Sequence, residues 1–147
     1  VIVDGETVGG IDRGLCVLLG VADGDDHAVA TRLAGKVARL RIFENEEGRF
    51  DRSVLDEGGG VLVVSQFTLI ADTAKGNRPS FSGAAPPEAA EPVYEAFCEA
   101  LATEGLEVAR GRFGARMTVE IANDGPVTVV LDANGAKTTE QRGPLLS

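Results

Sequence analysis

The ten residues VLVVSQFTLI (61–70) decide the fold. Strand alternation puts Val61, Val63, Ser65, Phe67 and Leu69 on one face, and Leu62, Val64, Gln66, Thr68 and Ile70 on the other. Both faces are apolar around the middle, which predicts a central strand of a sheet covered on both sides. Ser65, Gln66 and Thr68 interrupt that apolar run. Burying an unpaired amide or hydroxyl costs roughly 1–3 kcal/mol, so these side chains need partners. Two readings stand side by side: a polar strand end bonded to its own backbone, or a surface that meets a ligand.

Working outward, VIVDGETVGGI (1–11) has a β pattern around Asp4-Gly5, a good hairpin turn because Gly accepts positive φ. GLCVLLGV (14–21) is a continuous apolar run and reads as a strand covered on both faces. Over residues 25–41 the period changes. Val29, Leu33, Val37 and Leu40 recur every three or four residues, predicting an amphipathic helix with Asp25 or Asp26 as N-cap. Residues 44–60 read as loops or a short hairpin, and 71–87 as a long irregular segment. A second helix spans 88–104, secure only after Pro92.

EVARGRF (107–113) and ARMTVEIA (115–122) read as strands, with a further strand at 127–131. Between the last two sits Asn123-Asp124-Gly125-Pro126. Proline donates no ladder hydrogen bond, so Pro126 must start a strand, lie on an edge or mark a bend. Gly125 lets another molecule approach the backbone closely. On base rates an X-Pro bond is trans, cis being about 5–6% of cases. Together these elements predict one domain over residues 1–133 and a polar, disordered tail at 134–147. The predicted class is α+β: a curved, largely antiparallel sheet with a barrel-like core and two packed helices.

Composition narrows the chemistry. The 147 residues carry a net charge of −9, which favours a soluble protein over a broad nucleic-acid binder. Cys16 and Cys98 lie far apart within apolar runs and read as reduced core residues, hence a cytoplasmic location. With no apolar run near 20 residues, no membrane span is expected, and no signal peptide is visible. His27 is the only histidine and follows acids at a helix start. A His/Cys metal site is therefore not expected, nor a Ser-His or Cys-His device. If the chain is an enzyme, it works without an imidazole.

SQFTL (65–69) and NDGPVT (123–128) together resemble the paired signature motifs of the D-aminoacyl-tRNA (D-tyrosyl-tRNA) deacylases. VLLGV (17–21), RIF (41–43), GGVLVVSQFTL (59–69), RPSFS (78–82) and GRFGARM (111–117) follow the family's order and similar spacing. The resemblance implies a homodimeric esterase with its active sites at the interface. No cofactor, no metal and no membrane partner are expected. The substrate would be the ester between a D-amino acid and the 3′-terminal adenosine of tRNA, with mischarged glycyl-tRNA also accepted. A non-catalytic nucleic-acid-binding protein on the same fold is the alternative.

The resemblance also implies site residues. Gln66, Phe67 and Thr68 would be catalytic, the N–H groups near Phe67 and Thr68 stabilising the oxyanion. Such a donor is worth roughly 2.7–4 kcal/mol in other hydrolases. Ser65, Phe113, Met117, Gly125 and Pro126 would bind substrate, with Phe113 stacking on adenine. Gly125-Pro126, cis in the family, would enter the partner's site and exclude L-amino acids. Thr68 has no evident base, so the substrate's 2′-OH is the favoured activator of water. Arg110, Arg112 and Arg116, and separately Lys75 and Arg78, form basic spots fit to hold phosphates. Family chains usually begin with a strand bearing Gln-Arg-Val, about a dozen residues upstream of the pattern at Val1. That strand is expected to be missing here.

Overall fold

A computed structural model describes residues 1–133; the tail expected to be disordered lies outside the described residues. The chain opens with a two-stranded hairpin, β1 (Ile2–Val3) and β2 (Glu6–Thr7). Asp4 and Gly5 take φ of 49° and 75°, the two positive values a type I′ turn requires. That turn sets the antiparallel register Ile2↔Thr7 and Val3↔Glu6.

The main sheet has three strands: β3 (Gly14–Leu19), β6 (Gly60–Ser65) and β7 (Glu107–Arg110). Their order is β3-β6-β7, and both pairings are parallel. This corrects the expectation of a largely antiparallel, barrel-like core: no closed barrel is present among the described residues. The reason lies in the connections. α1 (His27–Arg39) and the hairpin β4 (Phe43–Glu44)/β5 (Phe50–Arg52) link β3 to β6, and α2 (Pro87–Thr103) links β6 to β7. Each crossover is long enough to return the chain to the same edge. The pairs β1/β2 and β4/β5 are antiparallel hairpins outside this sheet.

β6 is the central strand, as its two apolar faces predict. Val61 and Val63 are fully buried against α1 (Ala30, Ala34, Val37) and α2 (Val93, Phe97, Leu101). Leu62 and Val64 face a second cluster with Val1 and Val3, flanked by Ala115, Met117 and Val119. β3, by contrast, is an edge strand covered in part, and Leu18 remains 42% exposed. Gly14 lies against Gly60 so tightly that a Cβ there would meet the Gly60 carbonyl oxygen at 1.8 Å.

α1 begins where its sequence places it. Asp26 caps the helix, its carboxylate accepting from the Val29 N–H at 3.0 Å. α2 starts at Pro87, one residue before the predicted 88, and runs through Pro92 into the stretch read as secure. Pro87 occupies the first turn, where a missing N–H costs nothing. Burial of Ala90, Val93 and Tyr94 offsets the single hydrogen bond that Pro92 omits.

Candidate functional site at the carboxyl edge of the sheet

Ser65 ends β6, and the segment expected to continue as a strand to residue 70 turns instead. The Gln66 N–H still donates to the Leu19 carbonyl at 2.8 Å, closing the β3 pairing. Phe67–Ile70 then wind into a 3₁₀ helix, with the Leu69 N–H donating to the Gln66 carbonyl at 3.2 Å. The alternation predicted for residues 66–70 is therefore lost. Gly20 makes the turn possible: a Cβ there would sit 3.0 Å from the Leu69 Cβ and 3.3 Å from the Gln66 carbonyl oxygen.

The turn leaves two backbone donors open. The first N–H groups of a 3₁₀ helix have no carbonyl within it. Those of Phe67 and Thr68 meet no acceptor among the described residues. Both residues are exposed, Phe67 by 57%. The Phe67 ring stands edge-on to Phe81, centroids 5.2 Å apart. The Gln66 side-chain amide donates to the Thr68 hydroxyl oxygen. An amide is no base, and among the described residues no basic side chain is hydrogen-bonded to Thr68.

β7 brings a second segment to the same edge. Val63 pairs with Arg110, and the Gly111 N–H donates to the Val63 carbonyl at 3.0 Å. The chain then turns over residues 112–115, the Ala115 N–H donating to the Arg112 carbonyl at 3.1 Å. Gly114 supplies the positive φ of 77° in that turn. The Arg112 N–H in turn donates to the Met117 Sδ at 3.3 Å.

The turn rests on both cores. Phe113 is half-buried with its ring 5.7 Å from Tyr94, and Met117 packs on the Leu62/Val64 side. Of the predicted arginine cluster, Arg110 is ion-paired with Glu95, whereas Arg112 and Arg116 are exposed and have no ion pair among the described residues. Lys75 and Arg78 are exposed in the long irregular segment.

The strands expected at 117–122 and 127–131 are absent from the described structure; only Thr118 forms an isolated bridge, to Ile2. These stretches have β-forming sequences, but among the described residues no strand pairs with them beyond that single contact with β1. Ile121, Val129 and Val130 are 54%, 48% and 59% exposed. The loop between them closes on itself. Asn123 accepts from the Val127 N–H at 3.1 Å and donates to the Thr128 hydroxyl at 3.0 Å. The Gly125–Pro126 bond is cis, and Gly125 has φ 141°. Both residues are exposed, and no hydrogen bond joins them to residues 65–68 among the described residues.

The structure thus brings Ser65, Gln66, Phe67, Thr68, Phe113 and Met117 to segments leaving adjacent strands at one sheet edge, and leaves Gly125-Pro126 on a separate outward loop. The sequence reading passed over Asn123, which holds that loop, and Tyr94, which supports Phe113. An Asn opening a turn was the available signal for the first; nothing local marked the second. At the opposite, amino edge a depression of about 500 Å³ is lined by Arg13, Glu57 and Glu107 among others. Its central acid, Glu57, is already bonded to Arg13 and Arg52. Among the described residues no cluster of His, Cys, Asp and Glu fit to hold a metal is found. No helix among them is long and apolar enough to cross a membrane.

Open α/β sheets take ligands outside the carboxyl ends of their strands, and two open N–H groups there fit an anion or a polarised carbonyl. Known proteins identify the class as a hydrolase family. Residues 1–132 match the family model described as D-Tyr-tRNA(Tyr) deacylase, and the chain belongs to that family. A D-aminoacyl-tRNA deacylase of Roseiflexus castenholzii is 59% identical over 133 residues, spanning 90% of this chain and 85% of the relative. One from Deinococcus deserti is 58% identical, covering 88% and 89%. A solved structure titled c-Myc DNA Unwinding Element Binding Protein has a TM-score of 0.82 at 43% identity, covering 89% of each chain. A probable eukaryotic D-amino acid tRNA deacylase shares the fold at a TM-score of 0.54 and 16% identity, covering 69% of this chain and 75% of that one.

Proposed function

We propose that this protein hydrolyses the ester bond between a D-amino acid, or glycine, and the 3′-terminal adenosine of tRNA. The products are the free amino acid and tRNA. The observation that carries the reading is the pair of unaccepted N–H groups at Phe67 and Thr68, set where the family's SQFT motif falls. The ester carbonyl points its oxygen at these donors. Water adds to the carbonyl carbon, the oxyanion is held by the two N–H groups, and the ribose 3′-oxygen leaves with a proton. Thr68 has an amide beside it and no base bonded to it among the described residues, which supports a water activated by the substrate's own 2′-OH over a Thr68 nucleophile. Gln66 fixes the Thr68 hydroxyl and, through it, the substrate. Phe113 and Met117 receive the adenine, and base–aromatic stacking is worth about 1–3 kcal/mol.

The protein acts as a homodimer, with each site completed by the partner's Gly125-Pro126 loop. Two observations support this. That loop projects outward and makes its own hydrogen bonds, and the apolar stretches on either side of it are uncovered in one chain. L and D residues differ only in where the side chain leaves Cα. A main-chain wall set against Cα therefore rejects one hand whatever the side chain is, and accepts glycine, which has none.

A second reading has one observation in its favour: the similar solved structure is titled a DNA-element-binding protein. A nucleic-acid binder on this fold would bind tRNA without turnover. Deacylation of matched D- and L-aminoacyl-tRNA separates the readings. Rapid release from the D form with the L form spared is expected. Equal cleavage of both hands removes the chiral mechanism, and cleavage of neither supports the binder.

A further inference from the structure

We propose that Arg112 and Arg116 form a phosphate-binding edge that holds the tRNA backbone just beyond its terminal adenosine. This rests on the reading that the carboxyl edge receives the end of a tRNA. Residues 108–119 contain three arginines and no carboxylate, in a chain of net charge −9. Outside that window four of the seven described arginines are engaged, Arg13, Arg39, Arg41 and Arg52 pairing with Glu57, Glu104, Asp51 and Glu57 respectively, and within it Arg110 pairs with Glu95. Arg112 and Arg116 make no such pair among the described residues, and both are exposed.

The backbone of Arg112 is fixed even though neither guanidinium group makes an ion pair among the described residues. The Arg112 carbonyl accepts from Ala115, its N–H donates to the Met117 sulfur, and Gly114 sets the turn. The turn closes between Arg112 and Ala115 and Arg116 follows it directly, so the two arginines flank one bend that leaves the carboxyl end of β7, at the same sheet edge where β6 gives way to the Phe67–Thr68 turn. A planar guanidinium matches a phosphate with two parallel hydrogen bonds. The acidic remainder of the surface repels RNA, so this edge also sets the direction of approach.

The test is the salt dependence of tRNA binding. Single-stranded contacts contribute about 0.7 each to the slope of log affinity against log salt. The Arg112→Gln/Arg116→Gln variant should lose about 1.4 of that slope. Between 50 and 200 mM salt the unaltered protein should therefore weaken about sevenfold more than the variant. Arg32→Gln/Arg49→Gln removes the same charge elsewhere and should leave the slope as it was. The ratio of kcat/KM on D-aminoacyl-tRNA to that on a D-aminoacyl-adenosine ester should fall in the first variant only. An unchanged slope in the first variant, an equal change in the second, or no tRNA binding by the unaltered protein overturns the proposal. If the protein binds tRNA but cleaves no D-aminoacyl ester, the proposed function fails while the slopes still decide this edge.

Discussion

The Tyr94 hydroxyl, on α2, donates to the carbonyl of Val63 on β6 at 2.9 Å. The same carbonyl accepts from Gly111 at 3.0 Å. One oxygen thus ties the helix, the central strand and the turn that follows β7 together, two residues before the strand gives way to the SQFT turn. The Tyr94 ring also backs Phe113, and burial pushes its hydroxyl well above the ordinary tyrosine range, so the bond keeps its proton throughout the working pH range. Tyr94→Phe should cost about 1 kcal/mol, because Val63 keeps its other donor. Thermal unfolding should show Tm lower by about 2–4 °C. KM for the aminoacyl-tRNA should rise more than kcat falls if Phe113 receives the adenine.

Thr68 offers a sharper separation of mechanisms. Its hydroxyl oxygen is occupied by the Gln66 amide, and no base is hydrogen-bonded to it among the described residues. Thr68→Ala should therefore retain hydrolysis of D-aminoacyl-tRNA to within about tenfold. Loss of a true nucleophile in a hydrolase lowers kcat by about a millionfold. Single-turnover rates of the variant decide between the two, and a trapped acyl-enzyme on the unaltered protein would contradict the water route.

Gly125 combines φ 141° with no room for a side chain: a Cβ would stand 2.8 Å from a Val127 methyl and 2.9 Å from the Val127 nitrogen. Gly125→Ala must shift the loop. Because the loop is exposed, global stability should change by no more than about 1 kcal/mol, while the D-over-L ratio of kcat/KM should collapse by at least about tenfold, equal to 1.4 kcal/mol. A variant with both hands slowed equally would assign the loop to general positioning instead.

Much of this was legible from local pattern. Asp4-Gly5 specified its turn, Asp26 its helix start, and the two-sided apolar run of 61–64 its central place. What failed did so for non-local reasons. Strand direction depends on the crossovers through α1 and α2, which the period of a single strand does not encode. Residues 66–70 alternate like a strand, but the close approach of Gly20 lets them wind up. Residues 117–122 and 127–131 have strand composition, but among the described residues only Thr118 finds a strand partner, Ile2 of β1. At the site, the residue types at 65–68 and 113–117 stood in the sequence. The open N–H groups of Phe67 and Thr68 did not, because they follow from the 3₁₀ turn.

Glu57 gives a pH prediction. It accepts from the Arg52 Nε at 2.6 Å and pairs with Arg13. The bond from Arg52, then that from Arg13, holds its carboxyl below the ordinary value. A lowered folded pKa means that the stabilisation is present above the ordinary glutamate range, near about 4.3. It is lost as pH falls through the folded value. Glu57→Gln should therefore lower Tm at pH 7 and match the unaltered protein in strong acid. The gap should also narrow in high salt, because the arginines are exposed.

The apolar stretches around the Gly125 loop supply the last test. Ile121, Val129 and Val130 are about half exposed in a single chain, so replacing one by aspartate removes little intrachain packing, and surface substitutions of this kind usually stay within about 0.5 kcal/mol. In a dimer that covers these stretches, the same change buries a charge with no counterion. Val130→Asp should therefore leave the monomer folded by circular dichroism and thermal melting, while sedimentation equilibrium shows the dimer dissociation constant raised at least a hundredfold. If each site needs the partner's Gly125-Pro126 loop, specific activity should fall with dilution along the same curve as the dimer fraction. Full activity in a dissociated Val130→Asp protein would place the chiral wall within one chain and end the shared-site reading.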